Sequence, residues 1–203
     1  MKLYNSIGPN PQVVRMFIQE LGIDLESVEV DLMAGENRQQ DHLSRNPSGQ
    51  MPTLELDNGE FISEITVICD YLDEQHGYTD LIGKTPEDRA ETRMWTRRID
   101  LQIVEPLTNG FRFSEGHDFF KDRLRLIPQA ADDLKTLAQE RITWLDGQIE
   151  GKEFICGDRF SLADIMLYCF LNFGTTVGQP LNEDNKNVVN LYNKIHTRPS
   201  ASA

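Results

Sequence analysis

The 203-residue sequence has few cysteines, no surplus of positive charge and no long hydrophobic run. Its three cysteines, at positions 69, 156 and 169, show neither paired nor metal-ligand spacing, which predicts reduced thiols, a cytoplasmic location and no metal site. With 20 Lys and Arg against 33 Asp and Glu, the formal net charge is −13, so we expect no nucleic-acid partner. No apolar run approaches the roughly 20 residues of a membrane helix, and the first residues lack the apolar segment of a signal peptide, so we expect no membrane association.

Strand patterns fill the first part of the chain and disappear after a segment rich in Gly and Pro. Period-two alternation predicts strands at residues 2–5, 28–32, 53–56 and 60–62, with helices before and after them. The order βαβ, a short helix, then ββα is that of a thioredoxin-like α/β domain. We therefore predict a thioredoxin-like domain over residues 1–76, a linker over 77–85 and an all-α domain over 86–203.

A hairpin pattern followed by a helix ends the first predicted domain. Asn58-Gly59 between two strand patterns predicts a type I′ turn, which needs positive φ at both central residues. Met51-Pro52 precedes the first of these strands, and a cis bond there would turn the Met51 backbone N–H and C=O outward. Glu64 opens the helix, whose unpaired N–H groups favour a carboxylate. A backbone edge, a helix N-terminus and a fixed acid side by side would suit a small zwitterionic peptide.

Helix signals dominate the second predicted domain. Pro106 is expected to end or bend the first long helix, and Pro128 to start or kink a second helical pattern over residues 119–148. Ser161 and Asp164 form a Ser-x-x-Asp capping box ahead of a helix that is apolar nearly all round. Capping explains Asp164 fully, so we assign it no catalytic role.

Residues 50–54 and 63–72, with the hairpin between them, resemble the cytosolic glutathione transferases. The pattern of that family is roughly G-x-[VIM]-P-x-L, a hairpin, then E-S-x-A-I-x-x-Y-L, and the rest of the chain fits it from end to end. The resemblance implies the glutathione transferase fold, glutathione as co-substrate, no metal, a homodimer and a role in detoxification. The sequence departs from the pattern at Ile65, where the family usually has a serine that binds the γ-glutamyl carboxylate.

The resemblance also implies which residues contact glutathione. Glu64 is expected to meet the γ-glutamyl amine, and Asn37, with Arg38 beside it, the glycine carboxylate. A solvated helix face is the alternative interpretation of Asn37 and Arg38. Ile65 retains only its backbone N–H for the γ-glutamyl carboxylate. The full set of expected glutathione contacts is Asn37, Gln50, Met51, Pro52, Glu64 and Ile65.

The family activates the glutathione thiol with a donor in or just before the loop that follows the first strand. Pro9-Asn10 resembles the bacterial Nu class, in which Asn holds this place, and implies a bacterial protein with Asn10 as the catalytic donor. Ser6 is the second candidate and Tyr4 the third. The alternatives are that Asn10 is only the N-cap of a helix beginning at Pro11, and that Tyr4 packs in the sheet.

The second substrate and the dimer partner have weaker sequence signals. Phe111 and Phe113 are candidates to line an apolar pocket for an electrophile, with Arg112 between them, although aromatic clusters more often form core. Asp100 is a candidate acid that a neighbouring subunit presents to glutathione, or else an exposed ion-pair partner of Arg97 or Arg98.

Three functions therefore compete. The first is conjugation of glutathione to an electrophilic, apolar second substrate. The second is glutathione-dependent reduction of a disulfide or peroxide at the same site, because Asn10 can donate to sulfur but cannot shuttle a proton. The third is a glutathione-transferase-like interaction module without catalysis, which Ile65 favours and which Asn10 and Glu64 oppose.

Overall fold

A computed structural model describes residues 1–203, and the chain forms two compact units. The first unit contains Met1–Asp88 and Arg198–Ala203, and the second contains Arg89–Thr197. The predicted boundaries at residues 76 and 86 stay a prediction.

A four-stranded mixed sheet organises the first unit, in the strand order β2-β1-β3-β4. Strands β1 and β2 are parallel, and β1–β3 and β3–β4 are antiparallel. This is the predicted thioredoxin-like arrangement. Its elements are β1 (Lys2–Asn5), α1 (Pro9–Leu21), β2 (Glu26–Glu29), a 3-10 turn (Glu36–Arg38), α2 (Gln40–Arg45), β3 (Thr53–Glu55), β4 (Phe61–Ser63), α3 (Ile65–Gln75) and a final 3-10 turn (Pro199–Ser202).

Buried side chains lie on both faces of this sheet. Helices α1 and α3 pack together, with Phe17, Ile68 and Leu72 fully buried between them and the strands. Neighbouring side chains of a strand point to opposite faces of the sheet, so Leu3 and Tyr4 pack in different clusters. Tyr4, Val30 and Met51 form the smaller cluster, which ties the sheet to the segment just before β3.

Two local predictions in this unit are wrong. Helix α1 begins at Pro9, with Gly8 as its N-cap, so Asn10 is the second helical residue and does not cap. The fixed φ of Pro9 suits the first helical position and moves the start two residues earlier than expected. The hairpin turn is not type I′, because Gly59 (φ 84°) has a positive φ and Asn58 does not. The Gly59 N–H donates to the Leu56 carbonyl oxygen at 3.0 Å, as in a type I turn closed by a glycine bulge.

The second unit is all-helical, as predicted. The predicted bend near Pro106 is a π-helical turn, Asp100–Val104, between two α-helices. The helical pattern predicted over residues 119–148 is interrupted after a short helix that ends at Phe120, and Pro128 starts the next helix, which is one of the two roles predicted for it. No helix of the protein is both long and apolar enough to cross a bilayer. The elements are α4 (Pro86–Ile99), α5 (Glu105–Arg112), α6 (His117–Phe120), a 3-10 turn (Pro128–Ala130), α7 (Ala131–Gln148), α8 (Leu162–Thr176) and α9 (Lys186–His196).

The predicted capping box starts the buried helix α8. The Asp164 carboxylate accepts hydrogen bonds from the Ser161 N–H at 2.9 Å and the Ser161 hydroxyl at 2.8 Å. Its other oxygen accepts from the Ile155 N–H at 2.9 Å. Complete burial raises the pKa of Asp164 to about 6, against the opposing effect of these donors. Asp164 therefore holds together the segment before α8 and the first turn of the helix.

Candidate functional site

Strand register brings three predicted site segments to one end of the sheet. Tyr4 in β1 pairs with Thr53 in β3, and Thr53 pairs with Ser63 in β4. The end of β1, the start of β3 and the end of β4 are therefore neighbours. The loop after β1, the Met51-Pro52 segment and the N-terminus of α3 all leave the sheet at this edge, which we call the site end.

Asn10 is the principal hydrogen-bond donor at the start of α1. Pro9 and Pro11 have no N–H, so the Asn10 N–H is the sole backbone donor among the first three helical residues. The next one, from Gln12, already donates to the Gly8 carbonyl at 3.2 Å. The Asn10 side chain is half-buried and caps no backbone group. A helix N-terminus also carries partial positive charge, so the Asn10 amide lies where an anion is stabilised.

The two other candidate donors are engaged within the fold. The Ser6 hydroxyl is buried and donates to the Val30 carbonyl oxygen at 2.6 Å. The Tyr4 hydroxyl donates to Glu55 at 2.9 Å, and the Arg45 guanidinium lies 4.5 Å from the centre of its ring. Burial, with this bond to Glu55, raises the pKa of Tyr4. Tyr4 thus packs in the sheet, as its alternative interpretation proposed.

The Met51-Pro52 peptide bond is cis, and it lies directly before β3. The Met51 side chain is buried against Tyr4 and Val30. No hydrogen bond within the chain uses the Met51 backbone N–H or C=O. The side chain of Gln50 is exposed, whereas its carbonyl oxygen is held inside the fold. A free backbone edge therefore lies at the site end.

Asn37 and Arg38 brace the loop before Gln50. The Asn37 amide is 4% exposed and donates to the Gly49 carbonyl at 2.7 Å, so its donor is used within the chain. Arg38 lies half-buried beside it and reaches the Ser48 carbonyl at 3.4 Å. Gly49 has φ of 63°, and an added Cβ would lie 3.0 Å from the Arg38 guanidinium and 3.1 Å from the Asn37 carbonyl oxygen. Of the two side chains, Arg38 is the one with exposed surface.

Glu64 adopts a conformation that is uncommon for a residue with a side chain. Its φ is 70°, its side chain is exposed, and it caps α3 without a side-chain hydrogen bond. Strained backbone of this kind clusters at ligand sites. The first hydrogen bond of α3 is from the Ile68 N–H to the Glu64 carbonyl at 2.9 Å. The N–H groups of Ile65, Thr66 and Val67 thus make no hydrogen bond within the chain.

Three side chains that the sequence patterns do not single out hold these segments in place. The Arg15 guanidinium donates to the Asn5 side chain at 2.8 Å and the Ser6 carbonyl at 2.9 Å, which fixes the loop after β1. His42 and Asn46 both contact the carbonyl oxygen of Gln50. The sequence Asn46-Pro47-Ser48-Gly49 predicts a turn. No local sequence pattern predicts that Arg15 would hold the loop after β1 or that His42 would contact the Gln50 carbonyl.

The remaining predicted residues belong to the second unit. Phe111 packs edge-on against Phe120 and Phe173, with ring centres 6.1 and 5.1 Å away, and is half-buried. Phe113 is 9% exposed. Burial lowers the pKa of Arg112, which the nearby Glu105 opposes. Asp100 lies 3.5 Å from Arg97, the ion pair of its alternative interpretation.

Comparison with known proteins shows that the chain matches both domains of one protein family. Residues 1–74 match the glutathione S-transferase N-terminal domain, and residues 125–199 match the glutathione S-transferase C-terminal domain. Glutathione S-transferase F10 of Arabidopsis thaliana is 30% identical over 88% of this chain and 84% of its own. Glutathione S-transferase 2 of Saccharomyces cerevisiae is 28% identical over 95% of this chain and 84% of its own.

A solved structure matches over nearly the whole length. The crystal structure of Gtt2 from Saccharomyces cerevisiae has a TM-score of 0.93 and 28% identity, and covers 100% of this chain and 99% of its own. The domain matches and the 30% identity to an Arabidopsis relative agree with the sheet order and the segments at its site end. The chain belongs to the glutathione S-transferase family.

Proposed function

We propose that the protein is a glutathione transferase in which the Asn10 side chain stabilises the thiolate of glutathione for attack on an electrophilic, apolar second substrate. The observation that carries the proposal is the uncommitted Asn10 amide at the N-terminus of α1, while the Ser6 and Tyr4 hydroxyls are both engaged. A thiolate is the nucleophile, so a donor that favours it over the thiol raises the reactive fraction.

The site end offers complementary groups for each part of glutathione. The free Met51 N–H and C=O suit the cysteinyl backbone, as an added extended strand would. The Glu64 carboxylate suits the γ-glutamyl amine, and the unused N–H groups at the start of α3, including that of Ile65, suit the γ-glutamyl carboxylate. Gln50 and the Arg38 guanidinium are the proposed contacts of the glycyl end, and Asn37 supports them through Gly49.

Asn10 acts on the thiol without exchanging protons. Its amide N–H groups donate to the sulfur, and the helix N-terminus adds a favourable field. The thiol proton leaves to solvent, and the sulfur lone pair then forms the new bond to the electrophilic carbon as the leaving group departs. Asn10 therefore lowers the pKa of the bound thiol and takes no other part in the reaction.

The test is the thiol pKa of bound glutathione, followed by thiolate absorbance as the pH is varied. We expect the wild type to lower this pKa below that of free glutathione, and Asn10→Ala to restore the free value. Asn10→Asp keeps the shape, replaces the donor with a carboxylate and adds a negative charge, so it should raise the thiol pKa above the value in Asn10→Ala. A wild type that binds glutathione with no pKa shift, or an Asn10→Ala variant that retains the shift, would overturn the role of Asn10.

Disulfide reduction at the same site is the second candidate, favoured by the absence of acid or base function in Asn10. A bound glutathione thiolate would attack a disulfide, forming a mixed disulfide and releasing the other sulfur as a thiolate. A second glutathione would then resolve the mixed disulfide, giving oxidised glutathione and the remaining thiol. Turnover of a disulfide without aryl conjugation would favour this candidate. Failure of the wild type to bind glutathione would favour the non-catalytic interaction module instead.

Further properties are proposed with the function. We propose Phe111 and Phe113 as the apolar wall for the second substrate, so Phe111→Ala is expected to raise KM for the electrophile more than KM for glutathione.

We propose a homodimer, which sedimentation would test, and the exposed Phe61 and Val67 on the first unit are candidate contacts. A cytoplasmic detoxifying role agrees with three buried cysteines that form no disulfide.

A further inference from the structure

Two donors hold the carbonyl oxygen of Gln50. The Nε2 atom of His42, in α2, lies 3.2 Å from this oxygen, and the Nδ2 atom of Asn46 lies 3.0 Å from it. Both side chains are 2% exposed. Two buried donors on one carbonyl oxygen fix its direction more firmly than a single solvent contact would.

The contact also indicates the tautomer of His42. A carbonyl oxygen can only accept, so the hydrogen of the neutral ring must be on Nε2. The Nδ1 atom is buried and has no partner in the chain. The contact with Gln50 is therefore the one polar contact of this side chain, and losing it would leave both ring nitrogens buried and unpaired.

Peptide geometry carries this constraint to Met51. The C=O of Gln50 and the N–H of Met51 belong to one planar peptide group and point in opposite directions across it. The bond between these residues is trans, because the cis bond is the next one, Met51-Pro52. Fixing the Gln50 oxygen towards His42 therefore aims the Met51 N–H away from α2. That N–H has no partner within the chain.

We propose that His42 is a positioning residue for glutathione recognition, which orients the Met51 N–H by holding the Gln50 carbonyl. The inference rests on the proposed function, because glutathione is the molecule that this N–H would bind. Asn46 contributes to the same end, but it also contacts Thr53 and Ser48, so its loss would disturb more than one bond. His42 therefore gives the cleaner test.

The test compares a donor-free and a donor-retaining variant. His42→Phe keeps the volume of the ring and removes the donor, whereas Gln in His42→Gln places an Nε2 donor at about the same reach. We expect His42→Phe to raise both the Kd and the KM for glutathione about fivefold to tenfold, with kcat changed less than about twofold. We expect His42→Gln to return both constants to within about twofold of the wild type. His42→Leu is a second donor-free variant if Phe does not fit.

A matched control separates positioning from general destabilisation. Thr79→Val removes a part-buried hydrogen bond of 2.6 Å from the Thr79 hydroxyl, which lies beyond the end of α3, to Asp73 in the last turns of that helix, also in the first unit. It should lower stability and leave glutathione affinity unchanged. Wild-type affinity in the donor-free variants, loss of affinity in His42→Gln equal to that in His42→Phe, or an equal loss in Thr79→Val would each overturn the proposal.

Nuclear magnetic resonance of the free protein tests the same geometry without glutathione. Long-range ¹H–¹⁵N spectra should show the His42 hydrogen on Nε2, and the Met51 amide signal should move in His42→Phe and return in His42→Gln. A hydrogen on Nδ1 would overturn the proposal. If the wild type binds no glutathione, the proposed function is wrong and the recognition role falls with it, while the spectra still decide whether His42 orients the Met51 peptide group.

Discussion

The Ser6 hydroxyl donates a 2.6 Å hydrogen bond to the carbonyl oxygen of Val30, and Ser6 is 3% exposed. This bond ties the loop after β1 to the segment after β2, next to the 2.8 Å backbone bond from Val30 to Asn5. A hydroxyl has one hydrogen to donate, so one that is bound to a buried carbonyl does not also serve a thiolate. The relationship assigns Ser6 to the scaffold and supports the proposal that Asn10 is the donor to the thiol.

Ser6→Ala should therefore affect stability more than chemistry. Removing the hydroxyl leaves the Val30 carbonyl buried and unpaired, which costs about 1–3 kcal/mol in the free energy of unfolding. We expect the thiol pKa of bound glutathione to stay at its wild-type value and kcat to change less than about twofold. Urea unfolding and a conjugation assay measure the two effects. A loss of kcat of tenfold or more in a folded variant would make Ser6 the donor.

The first unit carries most of the net negative charge, which gives a prediction for salt dependence. It has six Lys or Arg and 17 Asp or Glu, a formal charge of −11, whereas the second unit has 14 and 16, a charge of −2. Glutathione is an anion at neutral pH, so long-range repulsion should slow its arrival. We expect kcat/KM for glutathione to rise about threefold between ~0.02 M and ~0.3 M salt as this repulsion is screened.

A charge-reduced variant provides the control for this prediction. Asp24 and Glu60 are exposed on the first unit, and Asp24→Asn combined with Glu60→Gln should raise kcat/KM at low salt and flatten its salt dependence. A kcat/KM that falls with added salt would show that local attraction, for example by Arg38, outweighs the field of the whole unit.

Glu20 and Arg198 join α1 to the C-terminal residues of the first unit. The Arg198 guanidinium donates twice to the Glu20 carboxylate, at 2.8 and 2.7 Å, and the Ser200 hydroxyl also donates to it. Burial alone would raise the pKa of Glu20. The hydrogen bonds from Arg198 and Ser200 outweigh the effect of burial, so the net pKa of Glu20 is lowered. Because the pKa of Glu20 is lower in the folded protein, its ionised carboxylate stabilises the fold at pH values above the unfolded-state pKa of about 4.5. This stabilisation is lost as the pH falls below that value.

Arg198→Leu is thus expected to destabilise the protein by about 2 kcal/mol at neutral pH, because a largely buried carboxylate loses both charged donors. The difference in the free energy of unfolding between Arg198→Leu and the wild type should shrink below about pH 4.5. Urea unfolding at pH 7 and pH 4 measures this difference. Lys84→Leu is the control, since its pair with Asp80 is exposed on both sides and should contribute less than about 0.5 kcal/mol. A difference that is independent of pH would mean that Glu20 is not the titrating group.

Local sequence patterns predicted the fold because each one has a local cause. The alternation at residues 2–5, the capping box at Ser161 and Asp164, and the order of elements depend on neighbours in the chain. The wrong predictions are local as well. Asn-Gly fits more than one hairpin turn, and in this protein Gly59 alone takes the positive φ. At α1 the fixed φ of Pro9 overrides the capping preference of Asn10.

The candidate site was less accessible to sequence reasoning, because its parts meet through register. Nothing near Tyr4 indicates that it pairs with Thr53, and this pairing is what brings the loop after β1 next to Met51. The use of the Ser6 hydroxyl by Val30 and of the Gln50 carbonyl by His42 likewise joins residues 24 and 8 positions apart. Family resemblance supplied a list of residues, and only the folded chain shows which of their donors are already used.

Asp164 gives a test of how burial and hydrogen bonding compete. Burial raises its pKa from 3.8 to about 6, and three donors, the Ser161 N–H and hydroxyl and the Ile155 N–H, oppose that rise. A raised folded-state pKa means that the folded protein binds more protons than the unfolded chain between these two values. The contribution of Asp164 to the free energy of unfolding should therefore fall by about 3 kcal/mol in all as the pH rises from about 4 to about 6, and should change no further above pH 6. Asp164→Asn removes this titration and should be less stable throughout, because its amide cannot accept all three hydrogen bonds.

The stability advantage of the wild type over Asp164→Asn should accordingly narrow between pH 4 and pH 6, as measured by urea unfolding. Asp158→Asn, at an exposed acid, is the control and should show no such change. An advantage that widens over this range would mean that the three donors outweigh burial and hold the pKa of Asp164 below 3.8.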